Sequence, residues 1–367
     1  MDIEHIDTVT TRGNGLSLHK YLHGCWPFLN SECSQQLLTD LSLEIDGNSL
    51  AALGEHNPTL KEGQTLQYIL RDYSEDPVDT DWKLLWNGEW NGKWGGEQNG
   101  EWGREQNGER KGGQDAGLDE KQNEERQATD IIAIHKPANL PVSRTTRNFY
   151  NTLIRLVRRQ SDWPDAHLLH RLDLDTSGII LLGKNKAAAS FWQPKLQQLL
   201  VRKVYQAVVY GQPDWDQLEF ECKLATRQGS AIRCQMHVCD EQEKGKLSRT
   251  GFKVLTTTGD YSIIECELFT GRKHQIRAHL AHLGHPIVGD KIYSNNGDFY
   301  LKRLNDTDTA ADHEKLQTEH HLLFAQMVVL NLSKDEHQKE THVIHNRYFP
   351  PAWLKFCAKI GLCNPEQ

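Results

Sequence analysis

The sequence predicts an α+β fold built around a largely antiparallel, mixed sheet. Short apolar runs bounded by glycine or polar turn residues recur along the second half of the chain, and they have the length of strands rather than helices. Two of these runs, residues 250–256 and 261–268, flank a Gly259-Asp260 turn, which is typical of a β-hairpin. Segments with helical periodicity, such as residues 273–283, are interspersed among the strands, and this order favours the α+β class.

The charge of the chain is unevenly distributed along its 367 residues, a length that suggests two domains. The formal net charge is −8. Residues 1–75 carry 4 Lys and Arg against 11 Asp and Glu, and residues 76–130 carry 7 against 14. Residues 131–367 carry 31 against 25, so this part is mildly basic. A phosphate-rich partner is therefore allowed by the charge of the last part, although the charge does not require one.

The sequence also argues against a membrane protein, a disulfide framework and a metal site. No apolar run approaches the length of a membrane span, and the acidic start does not resemble a signal peptide, so we expect a soluble, cytoplasmic protein and a monomer. Eight cysteines without CxxC spacing predict reduced thiols. The segment containing Cys234, His237 and Cys239 suggests zinc at first sight. Because no second ligand pair at metal spacing accompanies it, we predict no metal site.

The acidic first part of the chain has a helix–helix–strand pattern. Residues 16–22 and 33–43 show the apolar spacing of helices, and residues 43–48 and 60–66 are each typical of a strand and turn. Residues 87–128 differ from both, because they contain an eight-residue repeat rich in Trp, Asn, Gly and Glu. The sparse Trp residues cannot offset the chain entropy, so this segment is predicted to be disordered. An array for stacking single-stranded RNA is the alternative, and the negative charge argues against it.

One polar stretch combines turn residues with a carboxylate at a strand end. Residues 170–178 read His-Arg-Leu-Asp-Leu-Asp-Thr-Ser-Gly, and the apolar run 179–182 that follows predicts a short buried strand. Asp, Ser and Gly are turn formers, so the stretch presents Asp173 from a tight loop. An isolated loop of this kind would more often serve only to stabilise the turn.

Several blocks in order make this stretch resemble the catalytic motif of the RluA-type pseudouridine synthases. Lys203–Val209 and Thr270–Leu280, which continues to Asp290, resemble the second and third blocks of the family. Lys136–Val142 resembles the segment that opens its catalytic domain, and together the blocks cover about residues 129–360.

The resemblance implies three regions. A small α-L module, a type named for a ribosomal protein and associated with RNA binding, would occupy residues 1–75. A linker with the low-complexity insertion would follow at 76–128, and a pseudouridine synthase catalytic domain at 129–367. Because the helix at 33–43 lacks arginines, we expect the module alone to bind RNA weakly. The runs at 82–86 and 130–135 are typical of strands, which the family joins by a short turn, so the repeat is predicted to be an insertion in a hairpin loop.

The implied function is isomerisation of uridine to pseudouridine in structured RNA, ribosomal or transfer, without a cofactor. Asp173 would be the nucleophile, and its attack on the anomeric carbon of the sugar or on the uracil ring is left open. Asp175 is the alternative nucleophile, but it lies outside the core of the family motif and is assigned to the turn. Tyr205 fits a stacking partner for the flipped uracil and a base for the proton on carbon 5. Its structural alternative is a half-buried strand tyrosine.

Helical geometry supports a role for Arg277 beside Asp173. Ile276, Leu280 and Leu283 form one apolar stripe, and Arg277 lies on its flank. An arginine there can be partly buried and still point into a cleft, although a surface arginine beside the core is the common alternative. His279 and His282 lie roughly 140–160° away round the same helix, so they should not share the site and are predicted to be solvated or structural.

Four further residues are predicted to contact RNA: Arg171, Lys203, Arg272 and His274. Arg171 would either fill the gap left by the extruded base or bind phosphate. The rival interpretation is a catalytically silent RNA-binding protein on the same fold, which the presence of Asp173, Tyr205 and Arg277 disfavours. A glycosidase would need two flanking carboxylates from separate elements, and the sequence offers one credible candidate.

Overall fold

A computed structural model describes residues 3–9, 11, 13–25, 43–54, 57–70, 75–88, 130–145, 147–240, 242–305, 307–331 and 341–362. The chain forms two compact units. The first comprises Met1–Pro77 and Ser143–Asn151, and the second comprises Val78–Val142 and Thr152–Gln367. The predicted helix at 33–43, apart from its last residue, and the predicted repeat from residue 89 onward lie outside the described residues.

The described part of the first unit contains a four-stranded antiparallel sheet with the strand order β1-β4-β2-β3. Its elements are β1 (Ile3–Thr8), α1 (Leu18–Cys25), β2 (Glu44–Ile45), β3 (Asn48–Ser49), α2 (Leu50–Leu53) and β4 (Thr65–Leu70). The helix and the strand and turn predicted at 16–22 and 43–48 are present. Of the strand and turn predicted at 60–66, the turn is present around Gly63, which has φ 88°, and the strand follows it, beginning at Thr65.

The second unit is built on an 11-stranded mixed sheet with the order β11-β10-β12-β13-β9-β14-β8-β6-β5, to which β15 and β7 attach through β14 and β8. Every ladder in it is antiparallel except that between β14 and β8. The predicted α+β class is confirmed. The elements, in order, are β5 (Lys83–Asn87), β6 (Ile131–Lys136), α3 (Leu153–Gln160), β7 (His167–Leu168), β8 (Ser177–Gly183), α4 (Lys186–Trp192), α5 (Leu196–Leu199), β9 (Leu200–Tyr210), β10 (Gln217–Thr226), β11 (Met236–Val238), β12 (Lys246–Thr258), β13 (Tyr261–Leu268), α6 (Gln275–His282), a 3-10 turn (Asn295–Gly297), α7 (Asp298–Leu304), α8 (Ala310–Leu316), β14 (Leu323–Asn331), β15 (Thr341–His345) and α9 (Pro351–Ile360).

Strands β6 and β8 are buried on both faces, which explains their uninterrupted apolar sequences. All residues of both strands are buried. Alternate side chains of a strand point to opposite faces, and here Ile132 and Ile180 join one apolar cluster while Ile131 and Ile179 join another. The predicted buried strand at 179–182 is confirmed.

Strands β5 and β6 are antiparallel neighbours, with Lys83 opposite His135 and Asn87 opposite Ile132. The backbone N–H of Gly88 donates to the carbonyl oxygen of Ile131 over 3.0 Å, which closes the ladder at its end. The strands that flank the repeat in the sequence are therefore paired directly, as predicted for an insertion in a hairpin loop.

Ala325 and its neighbours across the sheet define the alignment of three central strands beside the Asp173 loop. Ala325 of β14 lies opposite Gly178 of β8 on one side and opposite Tyr205 of β9 on the other. Gly178 has φ 114°, and a Cβ there would lie 2.3 Å from the carbonyl oxygen of Ala325. The close approach of β8 to β14 therefore requires glycine at this position.

No helix among the described residues combines the length and apolarity needed to cross a bilayer.

Candidate active site

The loop that carries Asp173 connects β7 to β8 and is fixed by backbone hydrogen bonds. The N–H of Thr176 donates to the carbonyl oxygen of Asp173 over 3.2 Å, which makes the tight turn predicted from the sequence. His170 anchors the beginning of the loop, because its Nε2 accepts a 3.0 Å hydrogen bond from the N–H of Leu181 in β8. Burial lowers the pKa of His170 to about 4, so the ring is neutral and can accept.

The side chain of Lys136, at the end of β6, also fixes the loop that carries Asp173. Its side chain is fully buried, and its Nζ donates to the carbonyl oxygens of Pro137, Leu140 and Leu174 over 2.8, 2.9 and 2.9 Å. Burial lowers the pKa of Lys136 to about 7, against the opposing effect of nearby carboxylates. Three carbonyl acceptors match the three protons of an ammonium group, so the amine ties Leu174, next to Asp173, to the end of the sheet.

The side chain of Arg277 joins two carboxylates at the centre of the site. Its Nη1 donates to Oδ2 of Asp173 over 2.8 Å, as predicted from the helical stripe. Its Nε and Nη2 donate to Oδ2 and Oδ1 of Asp290 over 2.6 and 2.9 Å in a bidentate pair. Asp290 is completely buried, and its Oδ1 also accepts from the N–H groups of Ile292 and Tyr293. The guanidinium is therefore held rigidly by Asp290 and offers its remaining edge to Asp173.

The charges of Arg277, Asp173 and Asp290, here called the triad, keep Asp173 ionised. Burial by itself would raise the pKa of Asp173, but the positive charge of Arg277 outweighs that effect, and the pKa lies below its usual value. Burial likewise opposes the charge of Arg277, whose pKa is nevertheless raised by Asp290 and Asp173. The side chain of Asp173 is 26% exposed, whereas those of Arg277 and Asp290 are 6% and 0% exposed. Asp173 is thus the member of the triad that a substrate can reach.

His274 lies beside Asp173, just before α6. Its Nε2 is 3.8 Å from Oδ2 of Asp173, its Nδ1 is 3.1 Å from the hydroxyl of Tyr293, and its side chain is 8% exposed. Burial and the charge of Arg277 lower the pKa of His274 to about 4, so the ring is neutral. His274 precedes α6 and has a φ of 53°, in the left-handed region. With this backbone conformation, the ring lies close to the carboxylate of Asp173.

Tyr205 is buried in β9 at the level of the Asp173 loop. It is 9% exposed, so it is more deeply buried than the half-buried strand tyrosine considered as its alternative. Burial raises the pKa of Tyr205, and the negative charge of Asp173 raises it further. The phenol is therefore protonated at neutral pH.

The three remaining residues predicted to contact RNA differ in exposure. Arg171 and Arg272 are exposed, and the Nε of Arg272 donates to the carbonyl oxygen of Leu247 over 2.9 Å. Lys203 is half-buried beside Gly271, and burial lowers its pKa. Of the four, Arg171 and Arg272 have the exposure that a phosphate contact needs, whereas His274 belongs to the group around Asp173.

Asp175, which the sequence assigned to the turn, forms a buried ion-pair network. Its Oδ2 is 2.9 Å from Nζ of Lys291, and its Oδ1 is 3.1 Å from Nδ1 of His320. Its side chain is 12% exposed. Asp175 therefore does more than stabilise the turn to which it was assigned, because its two carboxylate oxygens link the loop to distant segments of the unit.

The two histidines of α6 that were predicted to be solvated or structural divide between these two environments, because His282 is exposed and His279 is buried. His279 is completely buried, and its Nε2 is 2.9 Å from the hydroxyl of Ser248 and 3.3 Å from the Sγ of Cys222. Among the described residues, the one group of three potential metal ligands close enough to share an ion does not include Asp173, His279 or His282.

Asp290, Tyr293 and Lys136 were not predicted as functional residues. Asp290 ends the third sequence block and Lys136 begins the opening segment, so membership of these blocks was the available signal. Neither has a periodic relationship to Asp173 or Arg277, and the sequence alone does not show which charges it meets.

Comparison with known proteins identifies the same region. The profile of the RNA pseudouridylate synthase family matches residues 130–282. Human pseudouridylate synthase RPUSD2 is 31% identical over 199 residues, which cover 52% of this chain and 36% of that protein. Arabidopsis thaliana RNA pseudouridine synthase 7 is 31% identical over 173 residues, which cover 46% of this chain and 44% of that protein. The ribosomal large subunit pseudouridine synthase C of Rickettsia bellii is 36% identical over 169 residues, which cover 46% of this chain and 55% of that protein.

The chain spans between about a third and just over half of the length of these relatives. The region matched by the family profile contains Asp173, Tyr205 and Arg277. Through this region, the chain is similar to RNA pseudouridine synthases, whose family profile it matches.

Proposed function

We propose that this protein isomerises uridine to pseudouridine in ribosomal or transfer RNA, with Asp173 as the nucleophile. The observation that carries the proposal is the triad in which Arg277, fixed by the buried Asp290, holds the partly exposed Asp173 ionised. A carboxylate is a weak nucleophile in water, and a partly desolvated one that is oriented by an arginine suits attack on an electrophilic carbon.

The reaction balances without a redox partner. The bond between the uracil nitrogen and the anomeric carbon breaks, the base turns, and carbon 5 of uracil bonds to the anomeric carbon. The proton of carbon 5 is lost and the freed ring nitrogen gains one. Asp173 would form a temporary covalent bond, either to the anomeric carbon or to the uracil ring, and the geometry is compatible with both. Enzymes acting on bases extrude the target nucleotide into the site, and the 26% exposure of Asp173 allows such an approach.

Tyr205 is suited to stack on the extruded uracil. A base can stack on an aromatic ring regardless of its hydrogen-bonding edge, and the register places Tyr205 level with Gly178 at the end of the Asp173 loop. Removal of the carbon 5 proton would require the phenolate, which the raised pKa makes scarce. Tyr205→Phe separates the two roles: retained turnover assigns the ring alone, and lost turnover with retained RNA affinity assigns the hydroxyl to proton transfer.

Two other functions fit the geometry less well. A glycosidase needs a second accessible carboxylate, but Asp175 and Asp290 are each buried in ion pairs. A silent RNA-binding protein would have no use for a buried arginine whose fork is divided between two carboxylates. Such an arrangement includes a buried charge that costs stability unless it is fully paired.

The deciding experiment uses total RNA from cells that lack the gene. The purified protein is incubated with this RNA, with and without a metal chelator, and pseudouridine is measured by nucleoside chromatography because isomerisation leaves the mass unchanged. We expect new pseudouridine in both samples at one or a few positions, which chemical mapping then assigns to ribosomal or transfer RNA. Asp173→Asn is the matched control, since it keeps the shape and removes the nucleophile. Binding of the RNA by the wild-type protein without conversion would favour the silent RNA-binding function.

A further inference from the structure

Three potential metal ligands meet where β11 ends. His237 lies in β11 opposite Ala225 of β10. Cys239 is the second residue after His237, and its N–H donates to the carbonyl oxygen of Lys223, so the ladder continues past the end of the strand. Residues two apart in a strand point to the same face. The turn from Asp240 to Glu243, closed by a 3.1 Å backbone hydrogen bond, then brings Glu243 back over this face.

The ligand atoms of these residues are already close together. Nε2 of His237 is 2.7 Å from Oε2 of Glu243, and the ligand atoms of His237, Cys239 and Glu243 all lie within 4.8 Å of one another. A tetrahedral zinc ion with bonds of about 2.0–2.3 Å would space its ligands by roughly 3.3–3.7 Å. Metal binding therefore needs shifts of about an ångström or less, which partly exposed side chains on a turn can make.

The surroundings leave room for the thiol and leave the imidazole incompletely bonded. A Cβ at Gly245 would lie 2.4 Å from Sγ of Cys239, so glycine at this position makes space for the sulfur. Nδ1 of His237 is buried and has no hydrogen-bond partner among the described residues, whereas Nε2 contacts Glu243. The ring can thus offer Nε2 to an ion that it shares with Glu243, by releasing the proton between them.

We propose that His237, Cys239 and Glu243 bind one divalent transition-metal ion of the zinc class, with water completing the coordination. Imidazole, thiolate and carboxylate together favour zinc over magnesium or calcium, which prefer oxygen ligands alone. From the sequence, a zinc site with Cys234, His237 and Cys239 was rejected, because no second ligand pair at metal spacing accompanies them. In the structure, the Sγ of Cys234 is directed to the hydroxyl of Tyr300 at 3.7 Å.

The ion has a structural role and is separate from the proposed chemistry at Asp173. It fastens the strand β11, whose first residue, Met236, donates a 2.9 Å hydrogen bond from its N–H to the hydroxyl of Tyr293. Tyr293 in turn contacts His274. A bound ion would therefore stabilise the wall of the active site without contacting the substrate.

The test uses the untagged, full-length protein, reduced with a phosphine and stripped of metal by a chelator. Zinc is titrated by calorimetry, and cobalt is added separately because a cobalt–thiolate bond gives a near-ultraviolet charge-transfer band. We expect one ion per chain, the cobalt–thiolate band and a higher melting temperature with zinc. Absence of zinc binding at stoichiometric protein and metal concentrations overturns the proposal.

Matched cysteine variants locate the site. Cys239→Ser should abolish the cobalt–thiolate band and weaken zinc binding about tenfold or more, the loss expected even for removal of a ligand's supporting residue. Cys234→Ser should leave both signals unchanged. Glu243→Gln, at a partly exposed position, should weaken zinc binding while circular dichroism stays that of the wild type. If Cys234→Ser removes the band, or Cys239→Ser keeps it, the assignment is wrong.

Discussion

Replacing Arg277 with alanine should slow the chemical step and make its rate depend on pH. Arg277 donates a 2.8 Å hydrogen bond to Asp173. A hydrogen bond to a charged group contributes about 1.5–3 kcal/mol, which corresponds to roughly 10- to 150-fold in rate. Without its ion-pair partner, the largely buried Asp173 should show a pKa about 1–3 units higher. Because the nucleophile must be ionised, the residual rate should then increase with pH until Asp173 has lost its proton.

Arg277→Ala should be tested together with a second substitution that keeps the fold stable. Arg277→Ala leaves Asp290 as an uncompensated charge in a completely buried position, and such a charge costs about 3–5 kcal/mol. The double variant Arg277→Ala/Asp290→Asn removes that charge and keeps the volume of Asp290. Arg277→Lys restores the positive charge but not the planar fork, so we expect only partial rescue. Arg249→Ala, which breaks a surface ion pair with Glu219, is the matched control and should keep the wild-type profile.

Single-turnover rates at saturating enzyme, measured from mildly acidic to mildly alkaline pH, test this reasoning. A near-normal rate with a flat pH profile in the double variant would contradict the pairing of Arg277 with Asp173. Asp290→Asn alone provides a second readout. The pKa of Asp290 is held well below its usual range by Arg277 despite burial, so its ion pair stabilises the fold above the unfolded carboxyl pKa of about 3.9 and less as pH falls. The difference in free energy of unfolding from wild type should therefore shrink below about pH 4.

Three further predictions concern the fold around the site. Gly178→Ala should destabilise the protein by about 3 kcal/mol or more, because an alanine would combine a strained φ with a backbone clash across the sheet. Gly251 is a strand glycine without either feature, so Gly251→Ala should change the urea midpoint of unfolding little. Lys136→Met should cost about 3 kcal/mol, since it leaves three buried carbonyl oxygens unpaired. The exposed Lys186→Met should be nearly neutral, and equal urea midpoints for the two variants would refute the explanation. Removing residues 89–127 should leave the melting temperature and turnover nearly unchanged, because the flanking strands pair directly; a large loss of either would show that the insertion contributes to the fold or to catalysis.

The parts of this protein that could be predicted from its sequence are those determined by local patterns. The apolar run at 179–182 predicted a short buried strand, and the apolar stripe on α6 showed that Arg277 could be partly buried and still point into a cleft. Both inferences depend on the repeat of a strand or a helix, whereas the choice of Asp173 as the partner of Arg277 came from the family resemblance. The third block of the family resemblance contained Asp290 but did not give its partner.

Contacts between distant segments could not be predicted in the same way. A lysine is seldom fully buried, and Lys136 is buried only because the folded loops supply three carbonyl acceptors. The proximity of Glu243 to His237 and Cys239 depends on how the chain folds back after β11, which the spacing of the cysteines in the sequence does not show. At 60–66 the local pattern predicted a strand and turn but not their order, in which the turn at Gly63 comes before the strand that begins at Thr65.

His274 combines a strained backbone with a position beside the candidate nucleophile Asp173. Its φ of 53° is a conformation that glycine adopts freely and that costs another residue roughly 1 kcal/mol. Glycine or asparagine at this position would relax the backbone and remove the imidazole between Tyr293 and Asp173. Under the proposed function, a selection for heat resistance alone would therefore tend to replace His274 and change the surroundings of the nucleophile. Efforts to stabilise this protein should therefore measure turnover as well as melting temperature for every variant at position 274.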